Sequence, residues 1–146
     1  MLDVQADWIK SKNHLIQREC LEFDKVYVNK EKLKAGLSQI KYPIYHLDFE
    51  TFPCPLPRFN GEWPYIQSPF EFSLHIEREP GVCDKEKDNF VFLAKTHNDE
   101  REELVKALIE HIDGTKGTLF AQNVSFEMGR IKELAQIFPK YKKEPL

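Results

Sequence analysis

The hydrophobic repeat changes along this chain, and that change constrains the fold more than any other feature. In "IYHLDFE" (44–50), "FEFSLHIER" (70–78) and "NFVFLAK" (89–95), bulky residues recur at every second position. That is the repeat of a strand with two unlike faces. In "DEREELVKALIEHI" (99–112), Leu104, Val105, Leu108, Ile109 and Ile112 fall on one helical face. Asp99 and Glu102 have the spacing of a capping box, and Gly114 supplies a stop. "GTLFAQN" (117–123) reads as a short buried strand, and residues 125–138 as a helix closed by Pro139. Upstream, residues 2–23 predict a helix through Trp8, Leu15, Ile16, Cys20 and Phe23, and residues 29–40 a weaker one with Gly36 inside it. The expected order is helix, helix, β, β, β, α, β, α: an N-terminal helical extension over 1–40 and an α/β domain with a mixed sheet over 41–146.

Composition narrows the class. The chain has 146 residues, 41% hydrophobic and 31% charged, which suits one soluble globular domain with a real core. No apolar run reaches the length of a membrane span, and the N-terminus lacks the basic start and apolar middle of a signal peptide. Cys20, Cys54 and Cys83 are scattered and form no CxxC pair, so a reducing, cytoplasmic setting is expected. The net charge of −3 argues against coating nucleic acid by bulk electrostatics. It leaves room for a nucleic-acid enzyme whose acids hold metal ions. The five histidines are dispersed and suggest no zinc site. There is no phosphate-binding GxxxxGK[ST] run, no GxGxxG fingerprint and no nucleophile elbow.

Three carboxylates draw the chemistry. Asp48 and Glu50 stand two apart on the first strand, sharing a face, with Cα atoms about 7 Å apart. The ordinary reading is a polar strand face in water. Glu127 shares a helical stripe with Ile131, Leu134 and Phe138, so an acid opens an apolar, core-facing stripe. A buried acid is costly unless paired or bound to a metal; the plainer reading is that Glu127 complements the helix N-terminal dipole. Gathered together, the three would suit Mg²⁺ or Mn²⁺, and two such ions about 4 Å apart promote phosphodiester hydrolysis.

At these residues the chain resembles a known group. "LDFET" resembles the first motif of the DEDD (DnaQ-like) exonucleases, and "QNVSFE" their second. The wider run from "YPIYHLDFETF" to "NVSFEMGRIKELAQIFP" is similar to an uncharacterised bacterial family of unknown function, in patches over 30–140. The resemblance implies a ribonuclease-H-like fold: three antiparallel strands, a helix, a parallel strand and a helix. It also implies a 3′–5′ exonuclease acting on DNA or RNA, with Asp48, Glu50 and Glu127 as catalytic metal ligands and Mg²⁺ or Mn²⁺ as cofactor. Glu127 stands where the group has Asp. Thr51, Phe52 and Asn123 become substrate-binding candidates. Phe52 would stack on a base or, as is commoner at a strand end, join the core; Asn123 would touch substrate or cap a turn.

The group's third motif, His or Tyr followed four residues later by Asp, has no match after Glu127. Tyr141 has no acid at that spacing, and His75 and Glu79 come too early. A fragment or naturally short relative is therefore expected, weakly active or inactive by itself. The alternative is a non-catalytic nucleic-acid- or protein-binding module on the same fold; self-association through an uncovered face is a third expectation. The Pro-rich stretch 53–69 is expected as a long loop, with Trp63, Tyr65 and Phe70 stapling it to the sheet or walling a substrate. Lys132, Lys140, Lys142 and Lys143 could reach phosphates or form a solvated tail.

Overall fold

The computed structural model of the protein describes residues 2–112 and 117–142. The chain divides into two compact units, one up to Gln39 and one from Ile40. In the first, the predicted helix over 2–23 is replaced by a 3-10 turn at Ala6–Trp8 and helix α1 at Lys12–Glu22. Helix α2 spans Lys30–Leu37, and the Asn29 side chain accepts from the Lys32 N–H to start it. Neither helix has a buried residue. Without packing to offset the cost of nucleation, the first helix does not extend back to residue 2.

The second unit is an α/β domain built on a four-stranded mixed sheet. Its strands are β1 (Ile44–Pro53), β2 (Gln67–Glu77), β3 (Asn89–Leu93) and β4 (Thr118–Phe120), in the order β3-β2-β1-β4. Strands β1, β2 and β3 run antiparallel in sequence, and β4 lies parallel to β1. Helix α3 (Arg101–His111) precedes β4, and α4 (Val124–Ile137) follows it. Alternation decides which face is buried. Tyr45, Leu47 and Phe49 of β1, with Phe72, Leu74 and Ile76 of β2, form one core with Leu104, Val105 and Leu108 of α3 and Ile131 and Leu134 of α4. Both helices therefore cover the same face of the sheet.

Several boundaries differ from expectation for local reasons. Strand β2 begins at Gln67, inside the expected loop, because a register shift between Glu50 and Thr51 accommodates Pro69 opposite Thr51. The expected capping box does not form: Glu100 is the residue before α3 and makes no side-chain cap. Asp99 is taken instead by Arg101, whose Nε and Nη2 each donate to it at 2.7 Å. Glu102 gathers Lys140, Lys106 and Tyr141, whose hydrogen bonds hold its carboxyl down at about 2. Gly114 lies outside the described residues. The entry to β4 is steric: a Cβ on Gly117 would sit 2.3 Å from the Pro43 carbonyl oxygen and 2.7 Å from the Tyr45 ring.

The stretch between β1 and β2 is held by charge and not by the three aromatics expected to staple it. Trp63 is 47% and Tyr65 68% exposed, and Phe70 belongs to β2. The tie is the buried Arg101, whose Nη2 donates to the Asn60 carbonyl at 3.0 Å and whose Nη1 lies 3.5 Å from the buried Glu62 carboxylate. Glu62 in turn accepts from the Arg58 and Phe59 N–H groups, closing the turn. Ile66 supplies the apolar anchor.

Leu108 sits at the centre of the helix–sheet contact and is 1% exposed. Leu108→Ala should lower the unfolding free energy by about 2–5 kcal/mol in urea denaturation. A loss within about 0.5 kcal/mol would mean that α3 does not pack as described.

Candidate active site

The acids lie on the polar side of β1. His46, Asp48 and Glu50 are exposed while their neighbours Tyr45, Leu47 and Phe49 are buried. Among the described residues, the side chains of Asp48 and Glu50 make no hydrogen bond or ion pair.

Glu127 joins them from the other side of the strand. The pairing of β1 with β4 ends at His46 and Phe120, so further along β1 the backbone has no strand partner on that side. A buried N–H there needs an acceptor. Glu127, in the first turn of α4, provides it: Phe49 N–H donates to Glu127 Oε2 at 3.2 Å. The side chain is 3% exposed and opens the stripe that Ile131 and Leu134 continue into the core.

The carboxylate therefore touches the main chain between Asp48 and Glu50, and its charge registers both. Burial pushes the Glu127 carboxyl above its ordinary value, and the negative charge of Asp48 pushes it further. The Phe49 N–H and Arg130 pull it down, and Glu50 adds to the rise. Glu127 feels the charge of both strand acids, but the three are not closed into a ligand set. Among the described residues, no group of three or more His, Cys, Asp or Glu side chains is arranged to hold a metal ion.

A fourth acid was missed from sequence. Glu71 of β2 pairs directly with Glu50, so the two share the polar face. Like charges opposite each other on a sheet are destabilising. Alternation in "FEFSLH" assigns Glu71 to a polar face, but nothing in the sequence states which residue it will meet.

The other candidates divide. Thr51 donates from its hydroxyl to Gln67 Oε1 at 2.7 Å, bridging β1 and β2. Asn123 caps α4, accepting from the Phe126 N–H at 3.2 Å, so its side-chain oxygen serves the helix. Phe52 is not a core residue: it is 52% exposed, with the Arg58 guanidinium 5.1 Å from its ring centre. Lys140 is paired with Glu102 at 2.7 Å, and Lys143 lies outside the described residues. Cys20, Cys54 and Cys83 are free thiols. No described helix is long and apolar enough to cross a membrane.

A family described as a domain of unknown function (DUF2779) matches residues 45–145, from the second residue of β1 through both acid-bearing segments. The chain belongs to this family. No curated protein and no solved structure matches the chain. In this DUF2779 domain the matched span includes Asp48, Glu50, Glu71 and Glu127.

The raised carboxyl of Glu127 carries a sign. A group protonated more readily when folded opposes folding as pH rises from its ordinary value of 4.5 through its higher folded value. Glu127→Gln keeps an acceptor for the Phe49 N–H and removes the charge. In metal-free buffer the variant should melt at a higher temperature than the wild type near neutral pH, with the gap closing below about pH 4.5. A gap that is unchanged between pH 4 and pH 8 would show that Glu127 does not feel burial or its neighbours.

Proposed function

We propose that this domain is a divalent-metal-dependent nuclease of ribonuclease-H-like design, hydrolysing phosphodiester bonds of DNA or RNA from a 3′ end. The observation that carries the reading is Glu127: a buried carboxylate seated on the backbone between Asp48 and Glu50, its proton affinity raised by burial and by both of them. Such crowding is the electrostatic state that a divalent cation relieves. The order β3-β2-β1-β4, with three antiparallel strands and a parallel fourth reached through a helix, agrees with the topology the resemblance implies.

The donor chemistry fits the metal. Asp48, Glu50 and Glu127 offer hard oxygen ligands, the set that Mg²⁺ and Mn²⁺ prefer. When bound, such ions stabilise the attacking and leaving oxygens of a phosphodiester displacement. The residues of this chain supply the positioning. Pairing with β2 fixes the main chain that presents Asp48 and Glu50. The Phe49 N–H fixes Glu127, and the glutamate side chain, one methylene longer than the aspartate of the resembling motif, spans the gap from α4 to β1.

A second reading has an observation of its own. Asp48 and Glu50 lie on an exposed strand face and make no hydrogen bond or ion pair among the described residues, as the polar face of a non-catalytic nucleic-acid- or protein-binding module on the same fold would. Metal-dependent stability separates the two and does not depend on turnover. Melting temperature measured against Mn²⁺ or Mg²⁺ should rise by several degrees at saturation for the wild type and stay flat for Asp48→Asn. Superimposable curves for the two proteins would remove the metal site and leave the module.

A further inference from the structure

Arg58 stands between β1 and β2, with its guanidinium carbon 5.1 Å from the Phe52 ring centre and 5.0 Å from that of Phe59. Two aromatic contacts of this kind hold the planar group in place. Yet among the described residues the guanidinium forms no ion pair and donates no hydrogen bond. Asp99 feels its charge, but both Asp99 oxygens already accept from Arg101. The fork of donors along the edge of the guanidinium is thus oriented and unspent.

That fork borders a cavity of about 260 Å³, with apolar walls from Phe59, Phe70 and Phe92. His97 and Asn98 also line it, and their side chains form no hydrogen bond among the described residues. Glu100 is the acid on its wall, and both of its oxygens are committed to donors from Lys95 and Thr96. The volume lies just below the range of ordinary small-ligand sites, which suits one flat group with a short polar appendage. Aromatic walls stack bases with little sequence preference, and an oriented guanidinium matches a phosphate through two parallel hydrogen bonds. Phe52, against which Arg58 rests, is two residues beyond Glu50, so the cavity and the acids are linked along one strand end.

We infer that Arg58 is a phosphate clamp for single-stranded nucleic acid, and that the adjoining cavity receives one nucleotide of the bound strand. The choice of nucleic acid as the anion rests on the proposed nuclease reading; the clamp itself rests on Arg58 and the cavity. The test is fluorescence anisotropy with labelled single-stranded DNA and RNA oligonucleotides in EDTA, where no metal chemistry operates, across a series of salt concentrations. Wild type should bind, and Arg58→Ala should bind about tenfold more weakly, with the log–log salt slope shallower by about one. Arg58→Lys keeps the charge and loses the fork, so it should retain the slope while binding more weakly than wild type.

Arg58 is exposed, so the melting temperatures of its variants should match wild type. If Arg58→Ala fails to fold, Arg58→Lys decides, and wild-type affinity in that variant overturns the clamp. Equal affinity and slope for wild type and Arg58→Ala, or no binding of either oligonucleotide by wild type, also overturns it. Failure here with an Asp48-dependent metal response intact removes the clamp alone. Arg58-dependent binding with no metal response removes the metal reading and leaves the clamp standing. A preference for RNA or DNA identifies the sugar that the cavity accepts.

Discussion

One hydrogen bond, from the Phe49 N–H to Glu127, ties the chemistry of this domain to its core. Strand β4 is only three residues long, and its pairing with β1 stops at His46. Extending β4 would have satisfied the exposed edge of β1 with more backbone. The chain instead turns into α4 and offers a carboxylate. A buried acid is an expensive acceptor, and one placed beside Asp48 and Glu50 is more expensive still. Its position is enforced by Ile131 and Leu134, which anchor the same helical stripe in the core. The core thus holds in place a charge that would otherwise move into water.

The elements were legible because each is marked by its own repeat. The period-two runs located β1, β2 and β3 to within three residues at each start, and the stripe from Glu127 to Phe138 located α4 to within one. Asp48 and Glu50 fell on the polar face because alternation alone decides it. What stayed hidden depends on pairing across distance. The meeting of Glu71 with Glu50 is a matter of register. The tie between Glu62 and Arg101 joins residues 39 apart, and a loop rich in aromatics made a hydrophobic staple the natural expectation. Asp99 matched a capping pattern by spacing but was captured by a guanidinium two residues on, a competition that no local pattern registers. At the N-terminus the stripe through Trp8, Leu15, Ile16, Cys20 and Phe23 suggested one helix over 2–23, but α1 begins only at Lys12 and buries no residue.

The sheet separates two kinds of work. One face is dry and carries α3 and α4; the other presents His46, Asp48, Glu50 and Glu71. The segment between β1 and β2 leaves from the end of the strand that bears the acids, and a buried ion pair fixes its course. Arg58 is therefore presented by a braced connection against Phe52 of β1, and the cavity beside it has walls drawn from that connection, β2, β3 and the segment leading from β3 into α3.

The acids of β1 also bear on which alignment the strand can adopt. A strand displaced by a single residue exchanges its faces. For β1 that error would drive Asp48 and Glu50 beneath the helices and turn Tyr45, Leu47 and Phe49 out to water. The misaligned state would lose its greasy contacts and desolvate two carboxylates in one step. Asp48 and Glu50 thus set a free-energy penalty on the shifted alignment, whatever they later bind.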